Sequence, residues 1–407
     1  MPTTTPAVWF AVATVFIDMI GMGLVMPVLP RLILEVSSVD LAQATVIGGW
    51  LFFAYAGMLF LLGPTMGSLS DAFGRRPLLL VSIFGLGVDY ILTALAPSIF
   101  WLFVGRAIAG VCGASYVIAN AFLADLTPPD QRARVFGYIG AAFGLGFVIG
   151  PALGGILGEF GPRVPFYAAA AFSLANFVFG WFVLPETLPP DKRRPFDIAR
   201  ANPIGTLKVF RTYSGAIPLS LAMFAFFLAS AVYPAIWAFW GIARFGWSEL
   251  TIGLTLAVFG IVTALTQAFV TGPIVARYGE WRVVVFGLVS AAVAAGGYGL
   301  APSLLAVLVL FVIHAPEGFV MPALTALLSR CAPEDAQGEM QGGIASLQSL
   351  GMVLGTPFFA HVFGYFMQPN APVVSPSIGF YVAAGMLALV LAGFLLTTSS
   401  RPADPAK

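Results

Sequence analysis

The chain has 407 residues, of which 59% are apolar and only 9% charged, and its net charge is +1. A soluble domain carries about a quarter charged residues, so much of this surface must face something other than water, and a bilayer fits. The near-zero charge leaves no basic excess to hold nucleic acid. Two cysteines and two histidines are too few for a disulfide framework or a structural zinc cluster.

A hydrocarbon core about 30 Å thick needs roughly 20 apolar residues per helix. Twelve such runs are predicted, over about 7–29, 44–66, 77–97, 98–122, 135–158, 164–184, 215–240, 250–273, 281–301, 303–328, 338–366 and 377–398. The breaks between them carry turn chemistry, as at Pro97-Ser98, Thr127-Pro128-Pro129-Asp130, Gly161-Pro162 and Ala301-Pro302-Ser303. None of the runs alternates as a membrane β-strand would, so the fold class is all-α membrane protein. The first run has no basic residue before Arg31 and holds Asp18, which marks a retained helix and not a signal peptide. With the N-terminus inside, fifteen of the 19 basic residues fall on the inner side, so both termini are placed in the cytoplasm.

The longest polar stretch divides the runs six and six. The predicted organisation is a six-helix bundle over 1–184, a cytoplasmic linker over 185–214, a second bundle over 215–400 and a tail over 401–407. An offset of 205 positions brings Gly67 onto Gly272, Gly74 onto Gly279, Pro128 onto Pro333 and Asp130 onto Asp335. It also brings Gly137, Gly146 and Gly150 onto Gly342, Gly351 and Gly355. Several matches at one offset point to a duplicated, pseudo-symmetric unit, the architecture of alternating-access carriers.

Ionisable residues inside apolar runs are costly and mark function by default. Asp18, Asp89 and Arg106 lie in runs one, three and four, each about 12–14 Å from the outer end at 1.5 Å per residue. A structural Asp89–Arg106 pair pinning two helices is the plain alternative. Arg106 cannot fully neutralise two carboxylates, however, which leaves one to carry a proton. Run ten holds His314, Pro316 and Glu317, and Pro316 is expected to break or kink it. These two polar residues either line a substrate cavity or satisfy backbone groups freed by the proline. Gln267, Asn120, Gln341 and Gln348 are uncharged candidates for the cavity wall, with interhelical hydrogen bonding as the alternative role, and His361 is read as structural.

Between runs two and three, residues 67–77 read GSLSDAFGRRP, where Gly67 permits close helix approach, Asp71 can cap or pair across the inner surface, Gly74 permits a tight reversal, and Arg75 and Arg76 anchor the loop inside. The fifth run reads GAAFGLGFVIGPALGG, where Gly146, Gly150 and Gly154 make a stripe for close helix approach and Pro151 is expected to bend the helix. The first pattern resembles the signature loop of the major facilitator superfamily, and the second its antiporter motif. The chain further resembles the tetracycline/proton antiporters of that superfamily. The likeness rests on Asp18 with GMGLVMPVLPRL, Asp89-Tyr90, Gly105-Arg106 with AGVCGAS, Ala124-Asp125, the Asp130-Gln131-Arg132-Ala133-Arg134 loop, RFGWS from Arg244, Gln267-Ala268-Phe269-Val270 and Pro322-Ala323-Leu324. The resemblance implies the major facilitator fold, proton coupling through Asp18, Asp89 and Arg106, and a part for Gln267 in substrate binding. It also implies a gating role for the loop and for Arg134. Two family positions depart: a helix-8 histidine is Thr263 here, and a helix-9 acid would fall near Ala291, where there is none. His314 and Glu317 are the residues available to replace them.

The expected function is proton-coupled export of an amphipathic small molecule, such as a tetracycline-like drug, across a bacterial inner membrane. It would act as a monomer, with the proton gradient as energy source and no cofactor, the substrate carried alone or as a divalent-metal chelate. An uptake symporter or uniporter is the alternative, against which the glycine stripe argues, and a non-transporting receptor or scaffold is the third reading. No P-loop, nucleophile motif or metal cluster supports an enzyme or an ATP-driven pump.

Overall fold

In a computed structural model of the chain, residues 6–128, 131–196, 202–203, 205–333 and 336–398 are described. Among them, twelve helices are long and apolar enough to cross a membrane. They are α1 (Ala7–Val36), α2 (Leu41–Phe73), α3 (Arg75–Leu95), α4 (Ile99–Leu126), α5 (Arg134–Gly158), α6 (Val164–Val183), α7 (Ala216–Phe245), α8 (Glu249–Tyr278), α9 (Glu280–Leu300), α10 (Leu304–Ser329), α11 (Gln337–Phe366) and α12 (Ile378–Thr397). The outward surface is apolar to a degree water would not tolerate: Phe182 and Leu396 are 82% and 86% exposed. The protein is a multi-pass integral membrane protein. Asp130, Asp335, Arg200 and the tail 401–407 lie outside the described residues.

Several helices overrun their predicted ends. α1 continues through Pro27 and Pro30 to Val36 instead of stopping near 29. α2 begins where the Asp40 carboxylate accepts from Gln43 N at 2.8 Å, a side-chain cap on an otherwise orphaned amide. It then runs to Phe73, so most of the expected loop 67–77 is helix. Gly74 makes the reversal into α3 alone, with φ +108°, a value that favours glycine. Pro151 does not interrupt α5, which is helical throughout.

The backbone repeats at the spacing of 205. Gly279 turns α8 into α9 with φ +76°, as Gly74 does between α2 and α3. Ser98 and Ser303, which open α4 and α10, adopt φ −158°, ψ 164° and φ −157°, ψ 163°. Both of these helices are broken. α4 has a turn at Gly113-Ala114, and α10 has a 3-10 stretch over Ala315–Phe319 that contains Gly318, the partner of Gly113 at the same offset. The expected break at Pro316 is therefore present, its missing amide hydrogen forcing the tighter turn. α8 carries a π-helical segment, Thr266–Thr271, and α7 a one-residue turn at Ala231.

Two compact units separate. The first comprises Met1–Asn202 with Gly246–Gly260, and the second Pro203–Phe245 with Ile261–Lys407. The first unit's core gathers Phe10, Val15, Ile83, Ile118, Phe122 and Ile139. Buried polar bonds tie its helices: Ser173 Oγ on α6 donates to Ile83 O on α3 at 3.0 Å, and Asn176 Nδ2 to Thr14 Oγ1 on α1 at 3.2 Å. In the second unit, α7, α9, α10 and α12 meet around Trp237, Trp240, Tyr298, Phe311 and Phe380. The expected glycine stripe does let helices close. A Cβ at Gly146, Gly150 or Gly154 of α5 would sit 2.5–2.8 Å from backbone carbonyls of α1. Gly351 and Gly355 of α11 meet α7 in the same way, with Leu228 O 2.5 Å from a Cβ at Gly355.

Candidate functional site

In the first unit the three predicted charged residues do gather. Asp89 on α3 is fully buried and pairs with Arg106 on α4, Oδ2 to Nη2 at 3.0 Å. Its other oxygen accepts from Thr93 Oγ1 at 3.2 Å, one helical turn on. Gly105 makes the room, because a Cβ there would lie 2.6 Å from Asp89 Oδ1. Asp18 on α1 is buried as well. Ser115 Oγ donates to its Oδ2 at 2.6 Å, while Oδ1 is buried without a hydrogen-bond partner. Ser115 is the first residue of the helix after the α4 break, so that break delivers the hydroxyl. Two tyrosines close the surroundings: Tyr90 Oη presses against Gly21 of α1, and Tyr55 Oη lies 3.2 Å from where a Cβ at Gly113 would stand.

The cluster thus contains two carboxyls and one guanidinium. The guanidinium is committed to Asp89, and Asp18 is held by a neutral hydroxyl. An ionised carboxylate with one unpartnered oxygen is costly away from water, whereas its protonated form is neutral and itself a donor.

At the α2–α3 junction Arg75 is the hub. Its guanidinium reaches Asp71 at 2.5 Å, Asp125 at the end of α4 at 3.1 Å and Ser70 Oγ at 2.6 Å. Its backbone N–H donates to Glu186 Oε1 at 3.0 Å, just beyond α6. Arg76 Nη2 donates to Trp181 O at 2.7 Å and stacks over that indole. Gly74 lies against the ends of the Glu186 and Arg193 side chains, and its φ of +108° favours glycine whatever the space. A Cβ at Gly67 would meet only ordinary contact, 3.7 Å from Val117. Arg134, by contrast, engages Tyr138 on its own helix, Nε to Oη at 2.7 Å.

In the second unit the buried His314 pairs with the part-buried Glu317 through Nε2 and Oε2. Tyr298 Oη on α9 is 3.0 Å from His314 Nδ1, and Ser230 Oγ on α7 donates to Glu317 Oε1 at 2.8 Å. Gln267 lies in the π-helical segment of α8, its Nε2 3.2 Å from a Cβ built at Gly318, beside the α10 break. Asn120 Nδ2 donates to Tyr116 O at 2.8 Å, and Gln341 Nε2 to Ser329 Oγ on α10 at 3.0 Å, so both make protein contacts. His361 Nδ1 donates to Pro357 O at 2.7 Å on its own helix.

Ser115, Ser230 and Tyr298 escaped the sequence reading, because nothing in their local pattern announces a partner on another helix. Thr93 was within reach: a hydroxyl four residues after Asp89 shares its helix face.

The family model of the Major Facilitator Superfamily matches residues 11–356 and 219–407. The chain is 40% identical over 342 residues to the tetracycline resistance protein, class C, of Escherichia coli, covering 84% of this chain and 86% of that one. It is 39% identical over 352 residues to the class G protein of Vibrio anguillarum, covering 85% and 87%. Multidrug resistance protein 2 of Bacillus subtilis is 28% identical over 381 residues, 92% of either chain. Among solved structures, the human organic anion transporter MFSD10 (TETRAN) superposes with a TM-score of 0.70 at 23% identity, covering 97% of this chain and all of that one. The nucleoside transporter NupG reaches 0.77 at 13% identity, covering 97% and 99%. At these identities the solved structures speak to the fold alone.

Proposed function

We propose that this chain, which belongs to the major facilitator superfamily, exports an amphipathic drug in exchange for protons by alternating access. Tetracycline is the first substrate to test, given the names of its relatives. The membrane is the bacterial inner membrane, the working unit a monomer with both termini in the cytoplasm, and the energy source the proton gradient, with no cofactor.

The observation that carries this reading is Asp18: buried, bonded to one neutral hydroxyl and left with a bare oxygen, while the nearby guanidinium is committed to Asp89. Protonating such a group removes a charge from a low-dielectric site, so the proton favours whichever conformation shields Asp18, and its loss favours the one that hydrates it. A drug that binds the second conformation better closes the exchange cycle. Thr93 and Arg106 hold the second carboxyl, Asp89. Arg75, with Asp71 and Asp125, acts as the latch released during the cycle. Gln267 serves substrate binding, and Asn120 and Gln341 join it where their amides are freed from their present partners.

The test is drug uptake into everted vesicles or proteoliposomes with an imposed pH gradient, using tetracycline with and without a divalent cation so that free drug and chelate are separated as cargo. Asp18→Asn is expected to abolish pH-driven uptake while drug-for-drug exchange persists. Undiminished pH-driven uptake in that variant removes Asp18 from coupling, and accumulation in the opposite direction replaces export by uptake symport.

A further inference from the structure

We propose that His314, Glu317 and Tyr298 form a second proton-carrying site, lodged within the second unit and separate from Asp18, Asp89 and Arg106. The proposal rests on the proton-driven export put forward above.

The first argument is charge. The segments 216–243, 283–329 and 378–397, which contain the residues around the pair, hold no lysine or arginine, and their one acidic residue is Glu317. His314 is 2% exposed, and the Glu317 side chain 13%. An ionised Glu317 beside a neutral imidazole would be a net charge with no cation to answer it, an expensive arrangement at low dielectric. A proton on the pair cancels that charge, and no other group in these segments can.

The second argument is hydrogen bonding, which keeps both imidazole nitrogens partnered in either protonation state. With the imidazole neutral, Nε2–H donates to Glu317 Oε2 and the Tyr298 hydroxyl donates to Nδ1. When a proton arrives on Nδ1, that N–H donates to Tyr298 Oη, whose hydroxyl turns away, and the Nε2–H bond to Glu317 is kept. One N–H bond forms on gain and breaks on loss, and the Tyr298 hydroxyl reorients with it. Ser230 Oγ holds Glu317 Oε1 in either state.

The third argument is place. The pair spans the start of the 3-10 stretch Ala315–Phe319, next to Gln267 in the π-helical segment of α8, so two irregular helices meet here. Such breaks are cheap to rearrange and recur at transport sites. Among the groups facing His314 are Glu317 on its own helix, Tyr298 on α9 and Tyr233 on α7, whose ring lies 4.6 Å from the imidazole at 39°. Phe380 on α12 packs against both tyrosines.

The chain has two histidines, so His361→Gln leaves a single imidazole to observe. NMR of 13C-histidine in that full-length variant, in nanodiscs and without drug, is expected to show one reversible protonation. Its midpoint is expected to move in Glu317→Gln and in Tyr298→Phe, and to stay in place in Asp18→Asn. An imidazole that keeps one protonation state throughout, or a midpoint indifferent to Glu317→Gln, overturns the proposal. In proteoliposomes, reversal-potential measurements on His314→Gln are expected to give one proton fewer per drug than the parent; an unchanged ratio also overturns it. Should the parent chain move no drug at all, the export reading falls, while the imidazole titration still decides whether the site exists.

Discussion

Ser115 Oγ donates to Asp18 Oδ2 at 2.6 Å although 97 residues separate them in the chain. The contact exists because α4 is not one helix: the turn at Gly113-Ala114 restarts it at Ser115, and that first residue faces α1. A hydroxyl is an apt partner for a carboxyl that changes protonation, since it can donate to the anion or accept from the acid.

Removing that hydroxyl is therefore expected to alter coupling more than fold. A hydrogen bond to a charged group contributes about 1.5–3 kcal/mol, which corresponds to a displacement of the pH profile of drug exchange by about one to two units. Ser115→Ala should show that displacement with protein yield and melting temperature near the parent's, and Ser115→Thr, which keeps the hydroxyl, should largely restore the parent profile. A profile unmoved in Ser115→Ala would mean that the bond has no part in proton exchange.

Asp89 and Arg106 invite a thermodynamic cycle. Breaking a buried ion pair by removing one partner costs about 3–5 kcal/mol, because the other charge is left uncompensated, whereas removing both is far milder. Arg106→Gln should lower the melting temperature of the purified protein clearly. Adding Asp89→Asn to it should recover most of the loss, yet the double variant should still fail to exchange drug for protons. Additive losses in the two single variants would show that the pair does not act as a unit.

Periodicity made the twelve spans, the duplication and the acidic positions legible, because lipid demands long apolar runs and penalises every charge within them. Pro316 announced its own helix break. What the sequence hid were contacts that depend on rotation about a helix axis. Nothing around Ser230 or Tyr298 distinguishes them from other polar residues in apolar runs, yet they flank the His314–Glu317 pair from two different helices. The extent of α2 was hidden for another reason. GSLSDAFGRRP reads as a loop by composition, but a single left-handed glycine at 74 suffices to reverse the chain, and the preceding residues stay helical.

The glycine stripe of α5 supplies a graded test of packing. A Cβ at Gly150 would lie 2.7 Å from Ile20 O and one at Gly154 2.5 Å from Leu24 O, both backbone atoms that cannot swing aside. Gly137 and Gly140 on the same helix have open space at that position. Gly150→Ala and Gly154→Ala should each destabilise by about 1–3 kcal/mol through overpacking, read as a lowered melting temperature and slowed drug exchange. Gly137→Ala and Gly140→Ala should be neutral or slightly stabilising, since alanine is the better helix former. Equal effects at all four positions would remove the α1–α5 approach as the reason for the stripe.

Arg75 joins three segments to its own helix, α3: Ser70 and Asp71 on α2, Asp125 at the end of α4, and Glu186 beyond α6 through its own backbone amide. Its side chain is 11% exposed, that of Asp71 41% and that of Asp125 28%. The pairs are thus partly screened by solvent, and their worth to global stability is modest. Their effect should appear instead in the conformational equilibrium, because a contact made in one state and broken in another biases the two populations by its own free energy. Arg75→Ala should therefore slow exchange by about tenfold, equivalent to about 1.4 kcal/mol, with drug binding nearly unchanged. Arg75→Lys should recover only part of the rate, because an ammonium lacks the planar fork that reaches two carboxylates and a hydroxyl at once. Asp125→Asn, which loses one of the contacts, should fall between the parent and Arg75→Ala. If Arg75→Ala instead abolishes drug binding with no separate effect on the exchange step, the hub is a folding element and not a latch.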